Sequence, residues 1–355
     1  MAVASSNGIV FRMESLPLLS ALEPDWRELE CRYPGSFFAS WSWIGTWLKT
    51  LPRHVAPRLI RAERDAAVVG MAIAVLRETR HFGMLPVRRL HLNATGDPEL
   101  DGIVIEHNDF VGEAGLLPRF VEWFSGAEGA DELVIAGTAP QNAPEMRGLL
   151  RSARGSPAFA HELSGAAEPE AAMSRNTRQQ LNRNFRALAR FGALAVDEAD
   201  TPETALAFFD ALKSLHVRSW DRRGTRHAFA RPFFETFHRT LIASGGGQLL
   251  RVRAGDLILG YLYNFRHGQT VHAYQSGFSD EISEDRPGYV CHALAMTRSA
   301  MSGATRYDFL AGDNRLKRSF ATSFYTLVWC TYSKRTPLFR FHAVARRIAS
   351  RFRSH

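Results

Sequence analysis

Cysteine is scarce: Cys31, Cys291 and Cys330 are the three in 355 residues, far apart and odd in number. They make neither a metal-ligand spacing nor a disulfide framework, which fits a reducing compartment. No apolar run approaches the ~20 residues of a membrane-spanning helix. Arg12 and Glu14 interrupt the N-terminal stretch where a secretory signal is apolar, so the expectation is a cytoplasmic protein. Lysine is rare too, with four against 40 arginines, so a lysine at a polar turn is a choice. There is no P-loop, no Gly-x-Ser-x-Gly elbow, no dinucleotide fingerprint and no zinc ligand set. Their absence removes the commonest nucleotide-dependent, serine-hydrolase, dehydrogenase and zinc-enzyme classes, and no metal is expected.

What is present suits two ordinary domains: 355 residues, 45% hydrophobic and 11% aromatic. The net charge of +8 is unevenly spread. Lys334, Arg335, Arg340, Arg346, Arg347, Arg351 and Arg353 crowd the last 22 residues, which contain no acidic group. Without them the net charge is +1, so a nucleic-acid partner is not expected for the body of the protein. In the tail, Phe341, Val344, Ile348 and Phe352 follow Pro337 at spacings of three and four, with arginines around the stripe. A basic amphipathic helix over 337–353 would suit an anionic membrane surface, placing the protein peripherally on the inner membrane. The competing expectation is a helix packed on its own domain, or a disordered basic end.

The chain repeats itself. Leu59-Ile60-Arg61 and Val68-Val69-Gly70 match Leu249-Leu250-Arg251 and Ile258-Leu259-Gly260 at an offset of 190. Ile135-Ala136-Gly137 matches Leu310-Ala311-Gly312 at 175. In each copy the pattern predicts paired strands (57–62 and 67–77; 247–254 and 257–266), a helix and a further strand (132–136; 305–310). Phe38, Trp41, Ile44, Trp47 and Leu48 have helical spacing and are read as core. Residues 164–173 lack periodicity and form the expected linker. The expected domains are 1–165, 166–333 and a tail, 334–355. Counting back 175 from Asp308 and Lys317 reaches Leu133 and Asn142, so the first copy is degenerate.

Residues 271–320 concentrate the polar signals. Arg286, Pro287, Gly288, Tyr289 and Val290 open a helix with Val290, Leu294 and Met301 predicted on one face. A glycine at a helix start lets backbone amides approach a phosphate, and the dipole favours the anion. Asp308 interrupts an apolar strand, where a carboxylate is costly unless paired or used, and Lys317 is its expected partner. His272, Tyr274 and Gln275 share the strand before the helix; His272 reads as a tolerated strand residue. Earlier, Arg175, Arg178, Arg183, Arg186 and Arg190 line a helix with no acidic residue. That is either a solvated face or a binding surface for an anionic acceptor or an acyl carrier.

These motifs together resemble the CelD/FemAB-like branch of the GNAT acyltransferases. The resemblance is carried by Tyr274-Gln275-Ser276-Gly277-Phe278, by Pro287-Gly288, and by Tyr307-Asp308-Phe309-Leu310 through Asp313 and Lys317. It is carried also by residues 214–241, with Arg218, Trp220, Gly224, Phe229, Phe237 and His238, and more loosely by residues 37–47. It implies an α/β (α+β) fold of two tandem GNAT-like domains, each a mixed, mostly antiparallel sheet flanked by helices. It implies acyl transfer from acyl-CoA, or an acyl carrier protein, to an amine or hydroxyl acceptor such as a sugar precursor or a lipid amine like a sphingoid base. Asp308, Lys317 and Tyr274 are then the catalytic candidates. Arg286, Gly288, Tyr289 and Val290 would hold the cofactor; His216, Arg218, Trp220, Gln275 and Asp313 would meet the acceptor. The single glycine at the helix start departs from the longer glycine-rich turn of typical GNATs. The alternatives are an aminoacyl-tRNA-dependent FemAB-type transferase, against which no long coiled-coil insertion is present, and a non-catalytic GNAT-like binding protein.

Overall fold

A computed structural model describes residues 3–4, 8–81, 85–163, 169–222, 224 and 227–335. The expected amphipathic tail, 337–353, and residues 164–168 of the expected linker lie outside them. Two compact units form, Met1–Gly155 with the described part of Leu327–His355, and Ser156–Thr326. Among the described residues no helix is long and apolar enough to cross a membrane.

The first unit orders its strands as Val3–Ala4, Ile9–Ser15, Pro57–Arg64, Ala67–His81, Leu85–Leu92, Glu132–Thr138 and residues 327–334. All pairings on that path are antiparallel except Leu85–Leu92 with Glu132–Thr138. Helix Trp41–Thr50 is capped by Ser40, whose side chain accepts from the Trp43 amide, and it buries Trp41, Ile44, Trp47 and Leu48 as their spacing predicts.

The second unit repeats the design with residues 156–162, Arg306–Ala311, Thr270–Phe278, Leu257–His267, Gln248–Ala254 and Leu194–Glu198, in that order. Again one pair is parallel, Thr270–Phe278 with Arg306–Ala311. Each unit is therefore a mixed, mostly antiparallel sheet with helices, as the resemblance implies. The repeat extends to an irregularity. Ala62 pairs Gly70 and Glu63 pairs Val68, leaving Val69 as an extra residue; Val252 pairs Gly260 and Arg253 pairs Ile258, leaving Leu259. Both bulges fall at the offset of 190, and such a feature is a designed bend rather than a defect.

Helix Pro202–Asp221 starts on the Thr201 cap with Pro202 in its first turn and buries Phe208, Phe209, Leu212 and His216. Burial of each such aromatic or leucine contributes roughly 1.5–3 kcal/mol. Helix Pro287–Met301 is buried over most of its surface, so the single face predicted from Val290, Leu294 and Met301 is corrected. Val290 is fully buried while Met301, the last residue of the helix, is 77% exposed.

Helix Pro202–Asp221 comes so close to strand Thr270–Phe278 that a Cβ on Gly277 would lie 2.5 Å from the Leu212 carbonyl oxygen. Gly277→Ala is expected to destabilise the protein by about 1–3 kcal/mol, because backbone cannot yield as a side chain would. A lowered thermal midpoint by circular dichroism checks this.

Candidate active site

In the second unit the parallel ladder has three rungs, Thr270↔Arg306, Val271↔Tyr307 and His272↔Asp308. Beyond them the strands part. Tyr263 pairs Gln275 while Asn264 pairs Ala273, so Tyr274 is a bulged residue two positions past the last rung. On the other strand Leu310 adopts φ 63°, a left-handed conformation that costs a non-glycine residue about 1–2 kcal/mol. The strain is offset locally: Asp308 Oδ1 accepts from the Leu310 amide at 2.8 Å and from the Tyr325 hydroxyl at 2.7 Å. Arg306 Nε stands 3.5 Å from the other carboxylate oxygen. Asp308 is 1% exposed, so the carboxylate the sequence flagged as costly is held by an amide, a phenol and a guanidinium. One His272 ring nitrogen lies within 4.8 Å of it.

Lys317 Nζ donates to the Leu310 carbonyl at 3.3 Å and to the Ala311 carbonyl at 2.5 Å. It secures the end of the strand that Asp308 begins to turn. Asn314 caps the short helix Arg315–Phe320, accepting from the Lys317 backbone amide at 2.9 Å. Asp313 is exposed and ion-paired with Arg318, which holds its carboxyl below the usual range.

The helix start lies at the ends of the parting strands. Gly288 leaves room for the Phe278 ring, which a Cβ would approach to 3.0 Å. His292, one turn on, touches the rings of both Phe278 and Phe309, at 5.8 and 5.5 Å. Arg286 is the left-handed cap residue (φ 50°), and Pro287 brings no N–H, so the amide of Gly288 is the helix's first. The Tyr289 ring packs on Phe320 at 5.4 Å, and Arg286 lies 5.9 Å from that tyrosine's centroid. The Val290 side chain is core, in the cluster with Met296, Phe309 and Phe320. Only its backbone remains for a cofactor.

The acceptor candidates divide. His216 Nδ1 lies 2.9 Å from the Ser276 carbonyl, tying its helix to the parted strand, and its ring stacks on Trp220 at 5.4 Å. Gln275 is half-buried on the same strand, whereas Arg218 is exposed on the helix. A polar cleft of about 710 Å³ is lined by Ser174, Thr177, Asp313, Asn314, Arg315 and Arg318. A second, of about 680 Å³, lies by Leu294, Arg298 and Met301, at the far end of the helix from the strand opening.

Sequence reasoning did not pick out Tyr325, Arg306, His292 or Tyr263. Tyr325 and Arg306 lie 17 and two residues from Asp308, and neither stands in a spaced motif. His292 Nδ1 meets the Tyr307 hydroxyl at 3.1 Å in the core. Burial pushes its pKa down to about 3, and that of His238 well below the ordinary value. Both are neutral when folded but take up a proton near pH 6.5 when unfolded. The stability they allow is complete above pH 6.5 and is lost as pH falls below it. From pH 7.5 to 5 His292 should cost about 2 kcal/mol, and His238 acts in the same direction. Urea unfolding at the two pH values checks this, and His292→Phe should flatten the dependence.

Residues 175–318 match the profile of the acetyltransferase (GNAT) domain family. No curated protein matches the sequence. Among solved structures, FemX aligns over 93% of this chain and 99% of its own, at 14% identity and a TM-score of 0.58. The C-terminal domain of a protein described as a lysylphosphatidylglycerol synthetase, from Agrobacterium fabrum, aligns over 88% and 92%, at 13% identity and 0.54. L-PGS from Bacillus licheniformis aligns over 92% and 96%, at 10% identity and 0.53. At such identities these likenesses show a shared fold. The segment that matches the acetyltransferase (GNAT) domain family, residues 175–318, is the one in which the parallel strands part and the helix start faces their ends.

Proposed function

We propose that the second unit moves an acyl group from a thioester, acyl-CoA or an acyl carrier protein, to an amine or hydroxyl acceptor by direct attack. The observation that carries this reading is the opening beyond His272↔Asp308, with the first turn of helix Pro287–Met301 at its end. An extended acyl-carrying arm suits the strand edge left there, and its phosphates suit the amides and dipole of the helix start near Arg286. Asp308 would take the acceptor's proton, and Lys317 would hold the turn that presents it. Tyr274 would protonate the leaving thiolate. Cys291 is not a candidate nucleophile, because full burial pushes its thiol far up.

The acceptor would enter from the side of His216, Trp220 and Gln275, with Arg218 and Asp313 at the rim. A lipid amine is favoured if the tail 337–353 lies on an anionic membrane, and a sugar precursor if it does not.

One observation favours a second reading, an aminoacyl-tRNA donor. On helix Arg175–Ala189 and its C-cap, Arg175, Arg183, Arg186 and Arg190 are exposed and fall within about 80° of one another around the axis. Arg190 meets Asp285 at 2.9 Å, immediately before Arg286, so the cationic stripe leads to the helix start. A macromolecular donor, an acidic carrier or an RNA, would find a complementary surface there.

Purified protein offered acetyl-CoA, long-chain acyl-CoA, acyl carrier protein and aminoacyl-tRNA, with candidate amines, decides the donor by released thiol or transferred label. Asp308→Asn is expected to lower kcat/KM by about 10²-fold or more, the scale of a lost general base. Lys317→Ala should lower it less. Full activity of both folded variants would overturn the assignment of the site.

A further inference from the structure

Behind Tyr274 runs a hydrogen-bond chain into the core. The Tyr274 ring packs 4.7 Å from Phe265 and lies nearly parallel to Phe234 at 6.3 Å. Its hydroxyl is 3.2 Å from Nε2 of His238, and Nδ1 of His238 is 3.3 Å from the Tyr263 hydroxyl. His238 and Tyr263 are completely buried. Strand Leu257–His267 supplies Tyr263, and helix Pro232–Ala243 supplies His238 together with its neighbours Phe234 and Phe237. Phe209 closes the far side, 5.7 Å from the Tyr263 ring and 6.3 Å from that of His238.

The direction of these bonds follows from elementary bookkeeping. A neutral imidazole has one N–H and one accepting nitrogen. Among the described residues, His238 Nδ1 is the one hydrogen-bond partner of the Tyr263 hydroxyl. Were Nδ1 to carry the hydrogen, the Tyr263 O–H would be a buried donor without an acceptor, which is strongly disfavoured. Tyr263 therefore donates to Nδ1. The imidazole hydrogen then sits on Nε2 and is donated to the Tyr274 oxygen, so the proton of Tyr274 points away from His238.

We infer that Tyr263 and His238 are positioning residues that orient Tyr274 as a proton donor and steady its oxygen once the proton leaves. The inference rests on the proposed role of Tyr274 in transfer. In that step the acceptor's nitrogen or oxygen forms a bond to the thioester carbonyl carbon, and its proton passes to Asp308. The C–S bond then breaks; sulfur leaves with the electron pair and takes the Tyr274 proton. The resulting phenolate is held by the Nε2–H of His238, a bond that strengthens as charge develops. Solvent restores the Tyr274 proton, and Asp308 releases its own, before the next turnover. The opposite tautomer would turn the Tyr274 proton inward and leave the phenolate facing an accepting nitrogen.

Two measurements on the full chain test this separately from the reaction. Selective ¹⁵N labelling of histidine should show His238 as the Nε2–H tautomer between pH 6 and 8, a signal lost in His238→Gln. Finding the Nδ1–H tautomer overturns the inference whatever Tyr274 does in catalysis. In kinetics with acyl-CoA, Tyr263→Phe should lower kcat about tenfold, the size of one hydrogen bond, with KM within about twofold. Added to Tyr274→Phe, it should cost nothing further, because it acts through that phenol. A Tyr263→Phe enzyme with full kcat, or a loss that adds in the double variant, overturns the inference. Full activity of Tyr274→Phe alone would instead remove the proton-donor role, and the tautomer result would stand by itself.

Discussion

The early end of the parallel ladder at His272↔Asp308 is the constraint on which the second unit depends. Parting two strands inside a sheet forfeits backbone pairing and leaves polar groups to be satisfied otherwise. Here the costs are met within a few residues. Asp308 accepts from the Leu310 amide, Lys317 ties the Leu310 and Ala311 carbonyls, and His216 reaches the Ser276 carbonyl on the facing strand. The bulge at Tyr274 bends that strand away, and the glycine at 288 lets the helix start settle against Phe278. An opening supported from every side can stay open without unravelling the sheet.

The first unit shows what the same architecture does without that demand. Its parallel ladder has four rungs and ends on Leu92↔Ile135, an apolar pair, where the second unit has a histidine and a carboxylate. Two residues past each last rung the backbone turns left-handed, at Gly137 (φ 62°) and at Leu310 (φ 63°). This register makes Ile135 the counterpart of Asp308, where the constant offset of 175 pointed to Leu133. Both are apolar, so the absence of a carboxylate holds. Glycine takes that turn without strain; in the second unit a leucine takes it and relies on the Asp308 side chain. Strain that only a polar neighbour supports is characteristic of functional sites.

The second unit also segregates charge from neutral polarity. His238 and His292 sit deep among aromatic rings and stay neutral, bonded to tyrosine hydroxyls. The guanidiniums of Arg175, Arg183, Arg186 and Arg190 stay at the surface, where a charge costs little. Between the two layers lies the buried carboxylate of Asp308, with Arg306 Nε 3.5 Å from one of its oxygens. A low-dielectric surround strengthens each of its interactions.

Much of this was legible beforehand. Alternation and turn residues marked the strands, and the offset of 190 marked a repeat that extends to the position of a bulge. The family resemblance pointed to Tyr274, Gly288, Asp308 and Lys317, which the structure places at a strand bulge, a helix start, the last rung of the parallel ladder and the short helix after it. Periodicity and motif say what a residue must be, since they report constraints acting within a few positions. They do not say what it touches. That Lys317 would bind carbonyls, that Val290 would be core, that Met301 would face solvent, and that Tyr325, His238 and Tyr263 would stand behind Asp308 and Tyr274 was decided by packing between elements far apart in the chain. Such contacts depend on helix axes and sheet register, which no local pattern encodes.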